Sequence, residues 1–159
     1  MKLKLRYKGG VGSGFHGHSG RLGEVGGSVS GTGWSKGQGD LRISQKFVDA
    51  RSKVPVEKQG YLSHNSAKEI VNSGNKVFIS NNGNNGFMVS RDGDIQNLFS
   101  IDHKGRESFL EAMRQGGRTL DCFDGFLPKY YAQFGFVEMR RESNWTPGGP
   151  DVVYMELKK

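Results

Sequence analysis

Residues Gly116–Met139 read GGRTLDCFDGFLPKYYAQFGFVEM. Gly116 and Gly117 can stop a preceding helix, because glycine takes a left-handed cap at little cost. Thr119, Leu120, Cys122 and Phe123 form a short apolar run, broken by Asp121, that fits a buried strand. Asp124-Gly125 is turn chemistry. Pro128 suits the first turn of a helix, where its missing N–H costs nothing. That helix carries Tyr130, Tyr131 and Phe134 and ends at Gly135, and Phe136–Met139 begins a new strand. The order is turn, strand, loop, helix, strand.

Upstream, residues 76–100 predict a meander. Lys76–Ser80 is a strand, 81–86 (NNGNNG) is a run of turn formers, and Phe87–Ser90 is the next strand. Arg91-Asp92-Gly93-Asp94 carries the Asp-Gly hairpin signal, and Ile95–Ser100 follows as a third strand. A helix then runs through Phe109–Arg114 after the polar stretch Asp102–Ser108. Earlier still, Asp40 can cap a helix holding Leu41, Ile43, Phe47, Val48 and Ala50. Pro55 interrupts, and Ser63 or Asn65 can cap a second helix that ends at Gly74. At the other end, Val152–Leu157 alternates as a strand and pairs with the strand from Val137 to Arg141. From residue 40 the order is α, α, β, β, β, α, β, α, β, β.

Residues 1–39 are different. Thirteen of the 25 glycines lie in the first 40 residues, and those residues supply +4 of the net charge of +7. A chain so rich in glycine loses much entropy on ordering and has little apolar surface to repay it. It is read as a basic, flexible arm, with one domain over residues 40–159. MKLKLR (residues 1–6) would give a first strand only if the glycine segment looped back. The mean hydropathy of −0.61 agrees with a chain that is only partly packed.

Several functions lose support at this level. A single cysteine excludes an internal disulfide, and Cys122 falls in a buried strand, as a small core residue does. No apolar run approaches the roughly 20 residues that cross a bilayer, so no membrane association is expected. His16 and His18 form an HxH pair, but His64 and His103 are distant in sequence, so no metal site is expected. The glycine patterns of the arm neither follow a strand nor open a helix, so they are not nucleotide loops. The basic arm offers a DNA contact by charge alone, since Tyr7, Phe15 and Trp34 form no stacking motif.

The run Tyr130-Tyr131-Ala132-Gln133-Phe134-Gly135-Phe136, between a strand and the next strand, resembles the C-terminal part of the GNAT-type N-acetyltransferase superfamily. The resemblance implies an α/β (α+β) fold: a central, mostly antiparallel mixed sheet flanked by helices. It implies acetyl-CoA as acyl donor and an amine acceptor. The backbone of Leu98, Phe99 and Ser100 would pair with the pantetheine. Lys104, Gly105 and Arg106 would take the pyrophosphate at a helix N-terminus. Tyr131 would protonate the leaving thiolate, and Asp124 would touch the cofactor. Asp121, Glu138 and His103 are the candidates for a base. The chain departs from the family pattern at Asp102 and Glu107, whose acidic side chains would repel phosphate oxygens. The alternative at this loop is an ordinary helix start, with Asp102 as cap and Glu107 in the first turn. The segment at residues 9–28 (GGVGSGFHGHSGRLGEVGGS) is similar to Gly-rich stretches of tailed-bacteriophage head and virion proteins. That similarity implies a phage protein of the host cytoplasm or the virion. A catalytically inactive GNAT-fold virion or host-interaction protein is the second reading.

Overall fold

Three antiparallel strands stand where the hairpin signals place them: β2 (Lys76–Ser80), β3 (Asn85–Val89) and β4 (Ile95–Ser100). They belong to a computed structural model that describes residues 33–158. Before β2 come β1 (Trp34–Gln38), α1 (Leu41–Arg51), a 3-10 turn (Val56–Tyr61) and α2 (Ala67–Ser73). After β4 come α3 (Gly105–Arg114), β5 (Thr119–Phe123), α4 (Phe126–Ala132), β6 (Phe136–Glu142) and β7 (Val152–Leu157). One sheet runs β1-β2-β3-β4 and a second runs β5-β7-β6, with antiparallel pairing throughout. A parallel bridge between Asp94 and Thr119 joins them. This is the α+β architecture expected from the sequence, a mostly antiparallel mixed sheet between helices.

The period-2 pattern of the strands sorts the core into two layers. Phe78, Phe87, Val89 and Leu98 pack with Phe109 of α3 and Tyr131 of α4. Their sequence neighbours Val77, Ile79, Met88 and Phe99 point the other way, onto Phe47 and Ala50 of α1 and Ile70 of α2. Every residue of β3 is buried, as a strand covered on both faces requires. Asp40 caps α1, its Oδ1 accepting from the Ile43 N–H at 3.1 Å. Gly117 leads into β5 at a close approach. A Cβ there would lie 2.5 Å from Ile95 Cγ1 and 2.9 Å from the Ala112 carbonyl oxygen.

The structure corrects four details. A strand, β1, occupies Trp34–Gln38, inside the segment read as an arm, and pairs along its length with β2. Its sequence, WSKGQ, has little strand propensity, so it is the exposed edge of β2 that organises it. The cap of α2 is Ser66, not Ser63 or Asn65. Ser66 and Glu69 form a reciprocal capping box. Asp102 does not cap α3, whose N-cap is Lys104 with no side-chain bond. That helix also starts four residues earlier than its apolar face suggested. The first-strand alternative at residues 1–6, the HxH pair, the phage-like segment and the DNA-contacting part of the arm before residue 33 lie outside the described residues. No helix among the described residues is long and apolar enough to cross a membrane.

Candidate active site

β4 and β5 start side by side and then part. At their start the Thr119 hydroxyl donates to Asp94 Oδ1 at 2.7 Å, and the Arg118 and Thr119 N–H groups donate to the Gly93 carbonyl. Beyond that junction β4 continues in the sheet with β3, and β5 continues in the sheet with β7. The cause is a bulge in β4. Gly86 faces Phe99 and Met88 faces Gln96, so Asn97 and Leu98 oppose the single residue Phe87. Asn97 takes a left-handed backbone, φ +50°, while fully buried. A bulge bends its strand and sharpens the local twist. The Leu98–Ser100 end of β4 lies beyond the Asp94–Thr119 bridge, where β4 pairs with β3 alone and the two strands part.

Side chains from the helical layer hold this bulge. Asn97 Oδ1 accepts from Arg51 Nη1 at 3.0 Å, and Asn97 Nδ2 donates to the Ser63 hydroxyl at 3.1 Å. Arg51 Nη2 donates in turn to the Asn65 carbonyl at 2.7 Å. A left-handed asparagine costs about 1 kcal/mol or more, and these buried bonds offset it. Sequence reasoning singles out neither Asn97 nor Arg51. An Asn inside an apolar strand is the one available signal.

The end of β4 leads through a short loop into α3. The Ser100 hydroxyl accepts the Lys104 N–H at 2.7 Å, which fixes the four-residue loop 101–104. Gly105 is buried and Arg106 half-buried in the first turn of α3, and no side chain caps them. N–H groups and helix dipole there favour an anion. Of the two acidic residues that depart from the family pattern, Glu107 lies in the first turn of α3 and Asp102 is engaged elsewhere. Its Oδ1 accepts from the Ser100 hydroxyl at 3.3 Å and its Oδ2 from Asn82 Nδ2 at 3.2 Å. Both oxygens thus bind the end of β4 and the β2–β3 turn. The Arg106 guanidinium lies 4.9 Å from the centre of the Phe134 ring, beside α4.

Tyr131 is fully buried, its ring packed between Phe109 and Tyr130. Burial pushes the Tyr130 phenol up, and the adjoining Arg106 draws it down. Asp124 directly follows β5. Its Oδ1 accepts the Gly125 N–H at 2.9 Å and its Oδ2 pairs with Arg141 Nη1 at 2.9 Å. Arg141 also grips Glu138 through two bonds of 2.8 Å and pairs with Asp151 at 3.3 Å. The guanidinium holds the Asp124 and Glu138 carboxyls below the usual carboxylate range. Glu138 is a weak proton acceptor for that reason. Asp121 is buried in β5, and His103 is exposed in the loop before α3 with φ +63°. Lys104, Gly105 and Arg106 thus open α3 just after the end of β4, while Asp124 is committed to a turn and an ion pair.

No family model matches this sequence, and no curated protein does. Solved structures do resemble it. A Lactobacillus plantarum protein assigned to the N-acetyltransferases aligns over 79% of this chain and 97% of its own, with a TM-score of 0.53 and 12% identity. Escherichia coli ElaA aligns over 77% of this chain and 97% of its own, with a TM-score of 0.53 and 12% identity. The fold is that of the GNAT-type N-acetyltransferases.

Proposed function

We propose that this chain is an N-acetyltransferase that moves acetyl from acetyl-CoA to an amine. The observation that carries the proposal is the parting of β4 from β5 at the Asn97 bulge, with an uncapped helix N-terminus at its open end. An extended pantetheine would lie along the outer edge at Leu98, Phe99 and Ser100 as a further strand does. Leu98 and Phe99 send their side chains into opposite core layers, which sets their backbone at the strand edge. The N–H groups opening α3, with Lys104 beside them, would take the pyrophosphate. The amine nitrogen attacks the acetyl carbon, the C–S bond breaks, and the thiolate leaves with a proton. Tyr131 is the proposed donor, its hydroxyl losing that proton and regaining one as the acceptor's ammonium is discharged.

Complete burial of Tyr131 favours a second reading, a GNAT fold kept as a phage virion or host-interaction module without catalysis. Calorimetric titration of acetyl-CoA into the protein and into Tyr131→Phe separates the two. Micromolar binding by both, with turnover in an amine panel slowed about 100-fold in the variant, is the expected result. Absence of heat at millimolar ligand would remove the enzyme reading. Equal turnover by both proteins would remove Tyr131 as the acid.

A further inference from the structure

A pocket beside α1 holds a charge that the described residues do not balance. It lies between the end of α1 and the 3-10 turn that follows, has a volume of about 400 Å³, and is lined by Val48, Arg51, Val54, Val56, Gln59 and His64, with Ser52 at the helix end. Arg51 retains only 5% exposure. Its two protein acceptors, Asn97 Oδ1 and the Asn65 carbonyl, are neutral. The ring of Phe47 lies 5.9 Å away. Among the described residues no carboxylate pairs with it. Buried charges are ordinarily paired, because an unmatched one has lost its water for nothing. A guanidinium has five N–H donors, so most of its capacity is left over.

The other polar side chains of the pocket are already used. Ser52 Oγ donates to the Asp49 carbonyl at 2.6 Å, and Gln59 Nε2 donates to the Arg51 and Val54 carbonyls at 3.1 and 2.7 Å. His64 Nε2 lies 3.1 Å from the Gln59 carbonyl. These bonds fix the wall of a pocket whose lining joins Arg51 with three valines. We infer that the pocket binds a small organic monocarboxylate, its carboxylate on Arg51 and its apolar body against Val48, Val54 and Val56. One guanidinium matches one negative charge in the planar geometry of a carboxylate. A phosphate dianion would bring surplus charge and nothing for the valines.

The test is a direct titration of the full chain without acetyl-CoA. The probes are 3-methylbutanoate and its neutral amide, followed by NMR at the Val48, Val54 and Val56 methyls and the Arg51 Nε–H. The acid is expected to shift these four residues and to bind at least about tenfold tighter than the amide. Val56 is 83% exposed, so Val56→Glu leaves packing alone while setting a like charge at the mouth. That variant should keep the wild-type melting temperature and lose at least about tenfold in affinity for the acid. Equal binding of acid and amide, shifts confined to other parts of the chain, or an unchanged affinity in Val56→Glu would each overturn the inference.

Discussion

Cys122 shows what a buried position does to a reactive group. It sits at 1% exposure in β5, in one core with Leu120, Phe109 and Val153. Burial raises its thiol first, and the carboxylates of Asp121, Asp124 and Glu138 raise it further. The thiolate is the nucleophile, so this thiol is inert. Iodoacetamide at about pH 8 should leave the folded protein unmodified and add one adduct in urea. An adduct on the native protein would place the thiol at the surface. Arg141 does the reverse for Asp124 and Glu138, lowering both carboxyls through hydrogen bonds. A folded-state pKa below the unfolded one gives stability that is present above about pH 4 and lost as pH falls through the folded value. The melting temperature should therefore drop on acidification below about pH 4, and Arg141→Ala should make that drop shallower. The change is small, since these groups stand in solvent. An unchanged acid slope in Arg141→Ala would mean that the ion pairs contribute nothing.

Among the elements, the β4 bulge is where local preference and fold disagree. Asn97→Ala keeps a Cβ at positive φ and leaves Arg51 and Ser63 without their partner. Loss of roughly 2–4 kcal/mol is expected. Asn97→Gly tolerates the backbone and loses only the bonds, so it should be about 1 kcal/mol more stable than Asn97→Ala. Urea unfolding of the two variants decides this. Equal stability would show that the left-handed backbone is not what Asn97 supplies. Elements whose pattern is local are legible in the sequence alone: β2, β4, β5 and β7 begin and end where alternation and turn residues put them. The bulge is not, because a bulge is defined by its partner strand, and Gly86 and Met88 say nothing of Gln96 and Phe99. Nor is β1, which a Gly-Gln-containing stretch forms only by pairing with β2. Ser66-x-x-Glu69 is legible in principle, since a capping box is a sequence signal. The proposed pyrophosphate contacts at Lys104-Gly105-Arg106 rest on the family resemblance. The occupation of Asp102 by Asn82, twenty residues away, needs the turn and the loop in three dimensions.

At the scale of the whole molecule, the two sheets share one bridge at Asp94–Thr119 and one core under α3 and α4. A ligand that lies on the β4 edge and on α3 binds only where all of these are folded. Ligand at 100 times its Kd then adds about 2.7 kcal/mol to stability. For a chain of this size that is a rise of roughly 5–10 °C in melting temperature. Acetyl-CoA and free CoA should give the same rise, because the pantetheine and pyrophosphate contacts are common to both. Lys104→Glu should weaken both by about tenfold, through a like charge beside the helix N-terminus. Asp102→Asn should leave Kd within about threefold, since its two oxygens already answer Ser100 and Asn82. A tenfold gain in Asp102→Asn would mean that the carboxylate faces the phosphates after all. No rise with either ligand in the wild type would mean that the parted strands hold no cofactor.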